Sequence, residues 1–119
     1  MKTAIQLYKD FIDSVVKRRK GVEGRWITAG GWPDTPANQK INALLALLSP
    51  DQREVMAKLV QEARDGGFHD ALVVLNEAVA NGLRLSQEGE EFAIEPFGTE
   101  MYYDWTCRCE GDPWPDEKG

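Results

Sequence analysis

The run FHDALVVLNEAVAN, Phe68 to Asn81, constrains this chain more than any other stretch. At helical spacing Phe68, Leu72, Leu75 and Val79 fall at i, i+4, i+7 and i+11, and Ala71, Val74 and Ala78 widen the stripe. A helix apolar over so much of its circumference needs neighbours on several sides, which makes it the expected centre of the fold. Its end is equally marked: in Asn81-Gly82-Leu83 the glycine can turn left-handed and Leu83 can pack back on the last turn.

The preceding sequence supplies three more helices. Thr3 and Gln6 match a capping box, and Leu7, Tyr8, Phe11, Ile12, Val15 and Val16 then recur at helical spacing, predicting a first helix over residues 4–20 with Gly21 as its stop. Gly21 to Thr35, GVEGRWITAGGWPDT, has no sustained period and is expected to be an ordered loop. Its Trp26 and Trp32 either fold back as lids on the core or line a binding surface. Thr35-Pro36 reads as a cap with proline at the first helical position, ahead of Ile41, Leu44, Leu45, Leu47 and Leu48. Ser49-Pro50-Asp51-Gln52 opens a third helix with Val55, Met56, Leu59, Val60 and Ala63 on one side. Gly66-Gly67 is expected to break it and return the chain as the central helix, giving an antiparallel pair.

Beyond the central helix, Leu83–Ser86 and Phe92–Glu95 alternate around residues 87–91 as a short hairpin. Thr99 to Glu110, TEMYYDWTCRCE, fits a strand or a helix. The helix is favoured because Thr99 can cap it and Gly111 can stop it. The fold class is therefore mainly α: a four-helix core with a small C-terminal β-hairpin and a final short helix, or a third strand. Residues 1–119 suit a single domain, with 112–119 a mobile acidic tail that Trp114 can anchor.

Charge is the most informative bulk property. Residues 1–25 carry net +4, residues 26–119 carry −10, and within the latter residues 84–119 hold ten acids against three bases. Such a field repels phosphate backbones, so nucleic acid is excluded as the main partner. The basic stretch Lys17 to Lys20 reads as a solvated helix end, favourable with the helix dipole. No apolar run approaches the roughly 20 residues of a membrane span, and charges interrupt the amino-terminal segment where a secretory signal would be apolar. A cytoplasmic protein without membrane contact is expected.

No catalytic motif is present. The soft ligands are Cys107, Cys109 and His69; in a helix the two cysteines point about 200° apart, and in a strand they share a face yet leave a zinc site short of ligands. His69, the single histidine, stands beside Asp70 at the expected start of the central helix and is a candidate acid or base. No catalytic residue, metal or cofactor is therefore assigned. What remains is surface: Tyr102, Trp105 and Trp114, with Phe97 and Tyr103, stand in the acidic third beside Asp104, as the rings and rim charges of an interface for a basic protein would.

The segment GTEMYYDWTCRCEGDPWP resembles the carboxyl ends of small uncharacterised bacterial proteins. The resemblance implies a stand-alone cytoplasmic bacterial protein and transfers no site residues. The leading functional expectation is a non-enzymatic acidic binding protein, of an immunity or adaptor kind, that engages a basic protein through Tyr102, Asp104, Trp105 and Trp114, with Trp26 and Trp32 as further candidates. Two alternatives stand beside it: a small-molecule or enzymatic pocket near the Gly21–Thr35 loop and His69, and a structural homodimer of apolar helices.

Overall fold

In a computed structural model that describes residues 1–118, α1 (Ala4–Arg18) opens on the expected reciprocal cap. The Thr3 N–H donates to Gln6 Oε1 at 2.9 Å and the Gln6 N–H to Thr3 Oγ1 at 3.3 Å. The fold is mainly helical, with a two-stranded antiparallel hairpin and a final short helix. Its contacts divide the chain into two compact units, one of Arg19–Gly66 and a larger one of Met1–Arg18 with Gly67–Gly119.

The larger unit holds the main core. Tyr8 and Ile12 of α1, Leu72 and Val79 of α4 (Pro50–Ala80), Met101 and Trp105 of α5 (Met101–Cys109), and Trp114 bury against one another. The residue stripe read from α1 is the one that packs, with Phe11, Val15 and Val16 at its margin. α4 ends as expected. Gly82 takes φ +106°, its N–H donates to the Val79 carbonyl, and the Leu83 N–H reaches back to the Ala78 carbonyl. The hairpin is shorter than its sequence pattern: β1 (Ser86–Gln87) pairs with β2 (Glu90–Glu91) around Glu88 and Gly89, both at positive φ. Phe92 then lies edge-on to Phe11, and the Ala93 N–H donates to the Ala4 carbonyl, which ties the hairpin to the start of α1.

Residues 101–109 are helix, not strand. Gly111 at φ +88° ends it, with the Asp112 N–H donating to the Cys107 carbonyl. Thr99 does not cap it. Glu100 is the N-cap without a side-chain bond, and Asn76 Oδ1 accepts the Met101 N–H instead.

The smaller unit departs from its sequence reading in two places ahead of α4. The Gly21–Thr35 stretch is not a loop throughout: a turn of helix, α2 (Glu23–Arg25), runs into a π-helix at Trp26–Gly30 closed by the Gly31 N–H on the Trp26 carbonyl. Gly31 at φ +82° ends that turn, and a β-carbon there would lie 2.7 Å from Asn42 Oδ1. The same oxygen accepts the Trp32 N–H while Asn42 Nδ2 donates to the Trp32 carbonyl, so the close approach is what holds the turn to α3 (Gln39–Ala46). Thr35 makes no side-chain cap, and Pro36–Asn38 forms a 3-10 turn ahead of α3. Ser49 and Gln52 cap each other as expected.

The largest departure is at Gly66-Gly67. α4 runs unbroken from Pro50 to Ala80, so the third and fourth expected helices are one element and the antiparallel pair does not form. Two interior glycines cost about 1 kcal/mol each against alanine, less than the several backbone hydrogen bonds that a break would leave unmade. His69 and Asp70 are accordingly mid-helix residues, away from any helix N-terminus.

Candidate functional site

In the larger unit α5 and the segment after it frame a cavity of about 250 Å³, lined among others by Phe97, Thr99, Tyr103, Asp104, Cys107 and Trp114. Asp104, one of the lining residues, is 5% exposed. Its two oxygens are each held by a hydroxyl: Tyr8 donates to Oδ2 and Thr99 to Oδ1, both at 2.5 Å. Burial, reinforced by the bond to the Asp104 carboxylate, pushes the Tyr8 phenol well above its ordinary pKa, so Tyr8 stays a donor throughout the physiological range.

The side wall is Trp114, clamped by charge as well as packing. Arg108 grips both oxygens of Asp13 at 2.9 and 3.2 Å, donates to the Asp112 carbonyl at 2.9 Å, and lies over the Trp114 ring at 5.0 Å from its centroid. The paired Asp13 carboxylate holds the Arg108 guanidinium above its ordinary pKa. Lys9 Nζ binds Asp116 at 2.8 and 3.0 Å and Glu117 at 3.3 Å, and sits 5.8 Å from the centroids of both Phe97 and Trp114. The bond to Asp116 raises the Lys9 pKa. Within the 112–119 stretch, then, Trp114 is buried and Asp116 and Glu117 are ion-paired; Gly119 lies outside the described residues.

The six residues singled out from sequence distribute unevenly. Asp104 and Trp114 line the same cavity. Trp105 is inside the core against Phe68, and its Nε1 has no hydrogen-bond partner among the described residues. Tyr102 is half-buried, its ring 5.2 Å from that of His69. Trp26 and Trp32 pair with one another at 5.3 Å in the smaller unit, whereas His69 belongs to the larger one and meets Asp70 at 3.4 Å. Because α5 is a helix, Cys107 and Cys109 diverge, and neither is in a disulfide. Among the described residues no three His, Cys, Asp or Glu side chains gather as metal ligands would.

The sequence reading missed Tyr8, Asp13 and Arg108, since only the fold brings residues 8 and 13 against 104 and 108. It also missed an exposed apolar face in the smaller unit. Leu48, Val55, Met56 and Leu59 line an open groove of about 370 Å³ with Asp51 and Gln52, and Ile41, Leu44 and Leu47 are exposed on and just after α3, Leu47 to 81%. The spacing marks these positions as the apolar sides of two helices, but among the described residues Ile41, Leu44, Leu47, Val55 and Leu59 stay exposed. The smaller unit is otherwise fastened by Arg19 on Asp65, 2.9 Å in two places, which holds the Asp65 carboxyl below its ordinary pKa.

A family model matches residues 1–116. The chain belongs to the DUF6547 family, a family of unknown function. Membership spans both units and includes every residue of the Tyr8–Asp104–Trp114 arrangement, well beyond the carboxyl-terminal third in which the resemblance was read. No curated protein and no solved structure matches the chain. Among the described residues no helix is long and apolar enough to cross a membrane.

Proposed function

We propose that this member of DUF6547 is a non-enzymatic binding protein that engages a basic protein through its larger unit. The observation that carries this reading is the division of charge. The larger unit holds fourteen Asp and Glu against seven Lys and Arg, net −7, while the smaller unit is near neutral at +1. Several of those carboxylates, Glu88, Glu95 and Glu110 among them, are exposed and make no ion pair among the described residues. Such charges steer a cationic partner and select against anionic ones. The rings of the acidic third do not form a flat aromatic surface, since Trp105 and Trp114 are internal; Tyr103, 53% exposed beside the cavity, is the ring available to a partner. Affinity capture from the native host at about 50 mM and 500 mM salt tests the reading, because screening shortens the reach of exposed charges to a few ångströms. A basic protein retained at low salt and released at high salt is the expected result. Recovery of no basic protein at either salt concentration would contradict it.

A second reading concerns the smaller unit, where the exposed face argues for a second copy of the chain. Ile41, Leu44, Leu47, Val55 and Leu59 together expose the equivalent of about three whole side chains, at about 1.5–3 kcal/mol for each one fully buried. Two copies double that gain, enough to offset an association cost of about 4–15 kcal/mol. The near-neutral unit does not repel its copy, as the −7 unit would. Sedimentation is expected to show a dimer at micromolar concentration and a monomer for Leu47→Glu with Leu59→Glu. A monomeric parent chain at several hundred micromolar would end this reading.

A further inference from the structure

We propose that the cavity over Asp104 is a receptor for an alkylammonium group, with Asp104 as its counter-ion; this deepens the basic-partner reading and rests on it. Asp104 is a buried carboxylate whose two bonded neighbours, Tyr8 and Thr99, are both neutral hydroxyls. A carboxylate has about four acceptor positions, so two remain for a further donor. Buried charges in proteins are ordinarily paired, because desolvation without an opposite charge is costly. Among the described residues no cation reaches Asp104 at ion-pair distance.

The nearby cations are committed elsewhere. Arg108, one turn further along α5 and itself in the lining, donates to both oxygens of Asp13 and to the Asp112 carbonyl, and Lys9 donates to Asp116 and Glu117. Lys118 and Asp112 also belong to the lining; the Arg108 charge is met by Asp13, and those of Lys118 and Asp112 are opposite in sign. Phe97, Tyr103 and Trp114 complete the wall, and aromatic rings favour a cation over an anion or a neutral alcohol. A volume of about 250 Å³ is that of roughly eight liquid waters, room for the end of a lysine side chain or a short free amine and too little for a folded peptide.

The two sources of that ammonium are separated by experiment. n-Butylammonium, N-acetyl-lysine methylamide, n-butanol and acetate are each titrated into the full chain while the Trp114 indole N–H resonance is followed. Saturable shifts from the two ammonium probes, with none from butanol or acetate, are expected. Asp104→Asn should weaken the ammonium probes at least about tenfold, the loss of one charge-assisted contact. Tyr103→Ala, at an exposed position outside the core cluster, should weaken them about three- to tenfold and serves if Asp104→Asn does not fold. Absence of a saturable shift, or unchanged affinity in a folded variant, would overturn the proposal. Release of the captured basic protein by n-butylammonium assigns the group to a partner lysine, and ammonium binding without such release assigns it to a free amine. Loss of capture on adding salt, together with silence towards every ammonium probe, would sink this inference while leaving the charge-steered reading intact.

Discussion

Replacing Trp114 by alanine is expected to destabilise the larger unit by about 3–5 kcal/mol, the range for deleting a buried large aromatic side chain. The ring is 3% exposed and meets Tyr8 at 6.0 Å and Phe97 at 5.6 Å between centroids. Its removal takes the packing surface from two cations as well, Arg108 and Lys9. Asp13 and Arg108 would keep their mutual bonds, so the loss should appear as a cavity effect with little dependence on salt. Denaturant unfolding of wild type and variant, followed by far-ultraviolet circular dichroism, reads the difference directly. A change under about 1 kcal/mol would mean that the carboxyl-terminal segment does not pack as described.

The second large effect has the opposite sign. Gly66→Ala with Gly67→Ala should stabilise the protein by about 1–2 kcal/mol in total, since each glycine in a helix interior costs roughly 0.5–1 kcal/mol against alanine. Nothing lies within 4 Å of a β-carbon at either position, and neither glycine has positive φ. The double variant also separates the two ways of reading the sequence. If the glycines broke the helix, alanines would oppose the turn and destabilise. A raised melting temperature supports one helix from Pro50 to Ala80; a lowered one contradicts it.

The contrast between Gly66-Gly67 and Gly82 explains how much of the fold was legible. Local chemistry that closes on itself within a few residues was readable: the Thr3/Gln6 and Ser49/Gln52 boxes, the Gly82 and Gly111 ends, and the stripe of α1 all form as their spacing implies. Glycine is a permissive residue, however, and does not dictate a break. At Gly82 the sequence beyond the helix is not helix-forming and Leu83 packs back, whereas Gly66-Gly67 has strong helical sequence on both sides. The Trp26–Gly30 π-helix was illegible for a related reason, because its closure depends on Asn42, eleven residues beyond Gly31, holding Trp32.

The candidate site was legible only by halves. Asp104 and Trp114 were picked out as chemistry-bearing residues in an acidic, aromatic stretch, but as an exposed rim and anchor. Whether a ring faces water or core depends on what α1 brings against it, and Tyr8 and Asp13 lie more than ninety residues away from their partners. The apolar groove was illegible because period alone cannot distinguish a stripe covered by the same chain from one left bare.

The central claim, that exposed carboxylates of the larger unit draw in a basic protein, is tested most directly by the ionic-strength dependence of that partner's affinity. The comparison is between the natural chain and the triple variant Glu88→Gln, Glu95→Gln and Glu110→Gln, at positions outside the core cluster. Affinity is expected to fall steadily as salt rises from about 50 to 500 mM, and the variant to bind more weakly with a shallower salt slope. An affinity indifferent to salt, or identical in the variant at every ionic strength, would contradict it.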